Sequence, residues 1–126
     1  MNRYIFLAVL LLATGCSVDK PDSILEAEAH IPETVSFAFD VRPILSDRCY
    51  ACHGPDAEGR VTDLHFDTPE GLDAALSESR RSRAVKGGNL GGSELYHRIL
   101  SDDPEFKMPP PESNLSLTIE EKAILI

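Results

Sequence analysis

The chain has few basic residues and no tryptophan. Its 12 lysines and arginines face 21 aspartates and glutamates, which gives a formal net charge of −9 over 126 residues. This acidity argues against electrostatic binding to nucleic acid or anionic lipid, because both are negatively charged themselves. A protein partner with a basic docking patch is the expected alternative. The length suffices for one small domain with extra segments.

Side-chain pairs typical of acid–base or nucleophilic catalysis are missing as well. The sequence contains no recognisable nucleophile–base pair. Asp102 and Asp103 are adjacent, and we interpret them as a solvated helix end rather than a carboxylate dyad. The sequence therefore does not predict catalysis by its side chains alone, and we expect no enzyme activity of this chain by itself.

Cysteine is scarce, with Cys16, Cys49 and Cys52 as the only three. This number leaves no spare pair for a disulfide framework. A zinc site would normally take four nitrogen or sulfur ligands, and His65 and His97 are too isolated in the sequence to complete one. A thioredoxin-like redox pair would follow a buried strand, and no such pattern precedes Cys49.

The two downstream cysteines belong to Cys49-Tyr50-Ala51-Cys52-His53, which has the C-x-x-C-H spacing of a c-type haem attachment sequence. Two thiols at this spacing can each add to one haem vinyl group. The histidine that follows directly can bind the iron from one side. We therefore predict one covalently attached haem c, with Cys49 and Cys52 as attachment points and His53 as the first axial ligand.

Methionine is as scarce as cysteine, because Met108 is the only one besides Met1. It lies in a loop and is followed by three prolines, whose fixed φ stiffens the backbone. A methionine sulfur stabilises ferrous iron and raises the reduction potential. We predict Met108 as the second axial ligand. Three alternatives stay open: ligation by His65, ligation by His97, or a Met108 side chain that only packs against the domain.

Other side chains are candidates for the surroundings of this site. The other ring nitrogen of His53 needs an acceptor, and Pro55 or a later loop residue is the candidate. Arg60 and the basic group of residues 80–83 are candidate partners for the haem propionates. Four aromatic residues are candidates for packing on the haem: Tyr50, Phe66, Tyr96 and Phe106.

Residues 1–15 have the features of a lipoprotein signal peptide. Arg3 supplies positive charge, and the apolar run over residues 4–13 is shorter than the roughly 20 residues of a membrane-spanning helix. Residues 12–16 resemble a bacterial lipobox that ends in Cys16. We predict an exported bacterial protein, periplasmic or on the cell surface, anchored to a membrane by lipid on Cys16. An ordinary cleaved signal peptide is the alternative.

The remainder divides into a flexible tether over residues 16–36 and a domain over residues 37–126. Asp40 and Pro43 predict the start of a helix that runs into the C-x-x-C-H sequence. Thr68 and Ser93 are expected to cap two further helices. A capping box over residues 118–121 opens the last helix, which has barely two turns before Ile126 and is therefore expected to be truncated.

Several ordered segments of residues 37–126 resemble the planctomycete-type cytochrome c domain: FDVRPIL (39–45), CYACHGPD (49–56), LHFDT (64–68), SEL (93–95) and MPPP (108–111). The resemblance implies a small all-α, class I-like cytochrome c fold, with three to five short helices and long loops around one haem. It also implies axial ligation by His53 and Met108. The glycine loop over residues 87–92 departs from the family, which tends to have a Pro-Gly-Asp-Pro-like turn there.

Together these features predict a membrane-anchored monohaem cytochrome c that passes single electrons between exported redox partners. The alternative is a haem c electron-relay module of a larger secreted enzyme whose catalytic domain is absent from this chain, because members of the family often form the front of larger secreted proteins. A haem sensor or small peroxidase needs an open sixth position, and Met108 argues against that reading.

Overall fold

The structure, a computed structural model, describes residues 18–73 and 83–126. It contains six short α-helices: α1 (Asp22–Glu28), α2 (Arg42–Arg48), α3 (Tyr50–His53), α4 (Pro69–Leu72), α5 (Glu94–Leu100) and α6 (Ile119–Leu125). A π-helical turn at Phe37–Val41 leads into α2, and a 3-10 turn at Pro111–Ser113 lies between α5 and α6. Neither described range contains a β-strand beyond an isolated bridge between Arg83 and Ser93. The predicted all-α class is confirmed.

The predicted signal peptide and Cys16 lie outside the described residues, as do residues 74–82. Within the described ranges, no helix is long and apolar enough to cross a membrane. The number of helices there is six, against the three to five that were predicted.

Helix α1 falls inside residues 16–36, where the sequence predicts a flexible tether. Ile24 is 0% exposed and Ala27 is buried, and both contact Ala123 of α6. Residues three apart lie on one face of a helix, so these two form a small apolar stripe that a partner helix can cover. The tether prediction is therefore corrected at α1, which packs against the end of the domain. Two apolar residues are too few for the sequence alone to predict that this helix packs. The contact becomes visible only when α6 lies beside it.

Helix α6 links the two apolar clusters of the domain. Its Ala123 belongs to the cluster with α1, while Leu125 contacts a second cluster formed by Leu45, Phe66 and Ala84. The predicted capping box at its start is present. The Thr118 hydroxyl accepts from the Glu121 amide, and the Glu121 carboxylate accepts from the Thr118 amide. A seven-residue helix is marginal alone, so its stability comes from these caps and contacts.

The helix predicted to run into the C-x-x-C-H sequence is interrupted. Cys49, with φ −125° and ψ −33°, separates α2 from α3. Asp40 is not the cap of this region, because its carboxylate accepts from the Ser36 amide at 2.7 Å within the preceding π-helical turn. Pro43 does lie in the first turn of α2, as expected for a residue whose missing N–H would have no helical partner there.

The other two predicted caps differ in outcome. The Thr68 hydroxyl accepts from the Gly71 amide at 3.1 Å and caps α4 as predicted. Ser93 precedes α5, but its hydroxyl makes no cap bond. It accepts instead from the Lys86 amide at 2.9 Å and closes the glycine loop, in which Gly88 has a φ of +70° that favours glycine. The side-chain cap predicted for Ser93 is therefore wrong.

The packing of α1 can be tested with two neighbouring residues of similar size. We expect Ile24→Ala to lower the free energy of unfolding by about 2–5 kcal/mol, because it leaves a cavity between α1 and α6. Leu25→Ala, at a position 51% exposed, is the matched control and should change it by less than about 1 kcal/mol. Denaturant unfolding of the haem-loaded protein measures both. Equal effects of the two substitutions would contradict a packed α1.

Candidate functional site

A cavity of about 1190 Å³ lies beside α3, between α5 and the proline-rich loop that contains Met108 and the three prolines after it. Cys49, Cys52, His53 and Met108 all line it, although 55 residues separate His53 from Met108 in the sequence. Ligand pockets usually measure about 300–1,000 Å³, so this one is large enough for a flat macrocycle. The fold therefore brings the four predicted haem residues to one cavity.

The backbone of α3 places three of these residues on one helical turn. The amides of Cys52 and His53 both donate to the Cys49 carbonyl, at 3.1 and 2.8 Å. Side chains at positions i, i+3 and i+4 lie on the same face of a helix, so both thiols and the imidazole share one side. Gly54 then turns the chain sharply. A Cβ there would collide with the carbonyl oxygen of Tyr50, so only glycine fits without a shift.

The imidazole of His53 is fixed from its outer side. Its Nδ1 lies 2.9 Å from the Leu64 carbonyl oxygen, and an oxygen acceptor requires the proton to be on Nδ1. This tautomer leaves the lone pair on Nε2 for a metal ion. The Phe66 ring lies 5.1 Å from the imidazole, and the Phe66 amide donates to the His53 carbonyl. The acceptor is thus Leu64, a loop residue after Pro55 and not Pro55 itself.

The two thiols are unpaired with each other. Burial, followed by the proximity of Cys52 and Glu121, raises the pKa of Cys49 to about 11. Its thiol is therefore neutral at pH 7.

Within the described parts of the chain, no three His, Cys, Asp or Glu side chains converge to hold a metal ion.

Neither alternative axial histidine lines the cavity. The Nδ1 of His65 lies 2.7 Å from the Asp67 carboxylate. Burial would raise the pKa of Asp67, but the hydrogen bond from His65, a backbone hydrogen bond and the nearby charge of Arg60 together outweigh burial, and the pKa is lowered. The Nε2 of His97 lies 3.2 Å from the Gly91 carbonyl oxygen. Both histidines are occupied elsewhere in the fold.

The predicted propionate partners have other roles in the structure. Arg60 donates to the carbonyls of Gly54 and Pro55, at 2.7 and 3.1 Å, and closes the loop after α3. Of the basic group at 80–83, only Arg83 is described, and it binds Asp73. The cations that line the cavity were not predicted from the sequence: Arg48, Arg98 and Lys107. No local pattern distinguishes them from surface charges.

Arg48 joins the site to the last helix. Its Nε and Nη2 donate to one oxygen of Glu121, at 3.1 and 3.0 Å. Burial would raise the pKa of Glu121, but the hydrogen bonds from Arg48 and from the Thr118 amide outweigh it, and the pKa is lowered. The carboxylate therefore stays charged near neutral pH and holds α6 against α2.

Of the four aromatic residues proposed to surround the haem, only Phe66 lines the cavity. Tyr50 packs against the cluster of Leu45, and Phe106 lies under the guanidinium of Arg98. Tyr96 is buried away from the cavity. More of the cavity wall consists of aliphatic side chains: Leu64, Leu95, Ile99, Leu115, Leu117 and Leu125. They are widely spaced in the sequence, so no sequence pattern predicted that they would meet at this cavity.

An all-α fold with two cysteines and a histidine on one helical turn, facing a large cavity, defines a small c-type cytochrome. A family model described as Planctomycete cytochrome C matches residues 49–112, which is half of the chain. The chain therefore belongs to the planctomycete cytochrome c family, and this membership implies haem c and haem-based electron transfer. No curated protein and no solved structure matches the chain.

Proposed function

We propose that the protein is a membrane-anchored monohaem cytochrome c that passes single electrons between exported redox partners. The observation that carries this proposal is that Cys49, Cys52, His53 and Met108 line the same cavity. The two thiols would hold the haem through thioether bonds, each formed by addition of S–H across a vinyl group. When bound, the haem supplies the Fe(III)/Fe(II) couple.

The residues around the cavity would orient the ligands and set the potential. The hydrogen bond from Nδ1 of His53 to Leu64 would orient the imidazole with Nε2 toward the iron and make it a stronger electron-pair donor. Met108 would supply a soft sulfur ligand from the facing loop, which favours ferrous iron. Aliphatic walls would keep water away from the iron and lower the local dielectric, which also affects the potential.

The second axial ligand can be tested by substitution of Met108. We expect Met108→Ala to lose the charge-transfer band of a Met–Fe(III) bond. Its reduction potential should fall by on the order of 100 mV, because axial ligands tune haem potentials over roughly 0.8 V. His65→Ala and His97→Ala are the controls and should keep both properties. A Met108→Ala protein with an unchanged low-spin spectrum and potential would contradict ligation by Met108.

The anchor is proposed from the sequence, since residues 1–17 lie outside the described ranges. Arg3, the apolar run over residues 4–13 and the lipobox-like residues 12–16 support export and lipid attachment to Cys16. A lipid on Cys16 would hold the domain near a membrane without a spanning helix, with α1 beginning at Asp22.

Lipid attachment can be measured by growth with a labelled fatty acid. We expect label on the wild-type protein and none on Cys16→Ser, because the thiol is the acceptor. Ser17→Ala is the neighbouring control and should keep the label. Label that persists on Cys16→Ser, or a wild-type protein without label, would refute the anchor.

The charges at the cavity are mixed, but the three cations Arg48, Arg98 and Lys107 are half-buried while the exposed charges are acidic, which favours a cationic partner. Asp63, Glu105 and Glu112 are exposed and line the cavity, so they form an acidic rim. Val61, which also lines it, is 74% exposed and offers an apolar contact among these carboxylates. We propose that exported redox partners dock here with a basic patch, which would bring the two redox centres close and speed encounter.

Docking by charge predicts a dependence on salt. Electron exchange with a cationic cobalt or ruthenium complex should slow as ionic strength rises, because the Debye length shrinks to about 10 Å at 0.1 M. Glu105→Gln and Glu112→Gln should slow it at low salt. Glu33→Gln, an exposed carboxylate away from the cavity, is the control. Rates that are independent of salt and of both rim substitutions would rule out the acidic rim as the docking site.

A further inference from the structure

We propose that Arg98 is the positioning residue for Met108 and that it holds the thioether at the cavity. This inference rests on the proposed function, because it assumes that Met108 is an axial ligand. Met108 comes from a loop that leaves α5 after Leu100 and returns to the last turn of the same helix. Three separate contacts tie this loop to Arg98.

The first contact is made by the backbone. The Met108 amide donates to the Arg98 carbonyl at 3.0 Å. This carbonyl is one of the last four of α5, which lack a partner within the helix. The same carbonyl also accepts from the Ser101 amide, at the longer distance of 3.4 Å, so the Met108 amide is its closer partner. This bond sets the position of Met108 along α5.

The other two contacts are made by the guanidinium group. Nη1 of Arg98 donates to the Phe106 carbonyl at 3.1 Å, and the guanidinium carbon lies 4.4 Å from the centre of the Phe106 ring. Nε of the same group donates to Glu94, at 3.1 Å, whose side chain is only 7% exposed. The planar group thus contacts α5 and the loop at once, which a lysine ammonium cannot reproduce.

The loop is stiff enough to pass this restraint from Phe106 to Met108. The amides of Phe106 and Lys107 both donate to the Asp103 carbonyl, at 3.0 and 2.8 Å, and form a tight turn. Prolines follow Met108 directly, and Pro109 is buried. Met108 is therefore held on both sides, with Arg98 fixing the side that faces α5.

This restraint matters most for ferric iron. A thioether is a neutral, soft ligand that favours the ferrous state, so the ferric protein depends on the loop to keep sulfur at the metal. A loosened loop would let an added ligand compete for the sixth position. The alternative role for Arg98 is purely electrostatic. Arg98 lines the cavity, so its positive charge could act on the iron without positioning Met108.

Arg48 provides a charge-matched comparison. It lines the same cavity and pairs with a carboxylate, but its side-chain hydrogen bonds go to Glu121 on α6. Arg48→Gln and Arg98→Gln each remove one positive charge from the wall. Arg98→Lys keeps a positive charge near Glu94 but removes the planar guanidinium group that bonds to Glu94 and to the Phe106 carbonyl at the same time.

The experiment measures the imidazole affinity and the Met–Fe(III) band of the haem-loaded proteins. We expect Arg98→Lys and Arg98→Gln to bind imidazole about tenfold more tightly or more, the effect of losing one charged hydrogen bond. Phe106→Leu, which keeps the carbonyl but loses the ring contact, should show a smaller increase of about two- to fivefold. Arg48→Gln should stay within about twofold while its potential shifts.

The outcomes separate the two proposals. If Arg98→Lys matches the wild type and Arg98→Gln matches Arg48→Gln, the role is electrostatic and the positioning inference is overturned. Should Arg98→Gln fail to fold, Arg98→Lys and Phe106→Leu decide the question by the same measurement. A Met108→Ala protein with an unchanged spectrum overturns the ligand assignment and this inference together. A changed Met108→Ala spectrum with wild-type imidazole affinity in Arg98→Lys and Phe106→Leu overturns only the inference.

Discussion

The hydrogen bond between Nδ1 of His53 and the Leu64 carbonyl is the constraint on which the site depends. It fixes the ring orientation, selects the tautomer and leaves Nε2 for iron. It also closes the loop after α3, which Arg60 supports from within through the carbonyls of Gly54 and Pro55. The loop therefore orients the histidine of the attachment sequence through the Leu64 carbonyl. The backbone of α3 keeps the two thiols on the same side of the helix as this histidine.

The cavity wall opposite His53, which carries Met108, is held by contacts to α5. There, Met108 is positioned by backbone and side-chain contacts to α5, and not by a helix of its own. Helix α6 connects two parts of the domain, because its Glu121 binds Arg48 at the cavity and its Ala123 packs on the apolar face of α1. The cavity is thus lined by segments that are distant in sequence, and a bound haem would join them across its two faces. Such a group supplies apolar contact that a domain of this size otherwise lacks.

What could be predicted from the sequence was mostly local. The spacing of Cys49, Cys52 and His53, the cap at Thr68 and the capping box at Thr118 depend on neighbours within a few residues, and the structure shows that spacing on one turn and both caps. The position of Met108 at the same cavity was also predicted, because so few soft ligands exist in this chain. Ligation by His53 and Met108, and the lipid on Cys16, stay predictions.

The features that were missed depend on partners far along the chain. Ile24 looked like part of a tether because its apolar stripe is complete only with α6 beside it. Arg60 and Arg98 are both arginines near haem motifs, and only the fold distinguishes one that closes a loop from one that lines the cavity. Ser93 precedes a helix, but its hydroxyl accepts from the Lys86 amide and donates to the Lys86 and Asn89 carbonyls, so its hydrogen bonds go to the glycine loop and not to the helix.

The most direct test of the account is the intact mass of the protein after denaturation, produced in a host that matures c-type cytochromes. We expect a single haem to remain attached to the wild type and to Cys16→Ser, since only Cys49 and Cys52 form thioether bonds. The double variant Cys49→Ser/Cys52→Ser should lose it. A wild-type chain that carries no haem mass under these conditions would contradict the central claim.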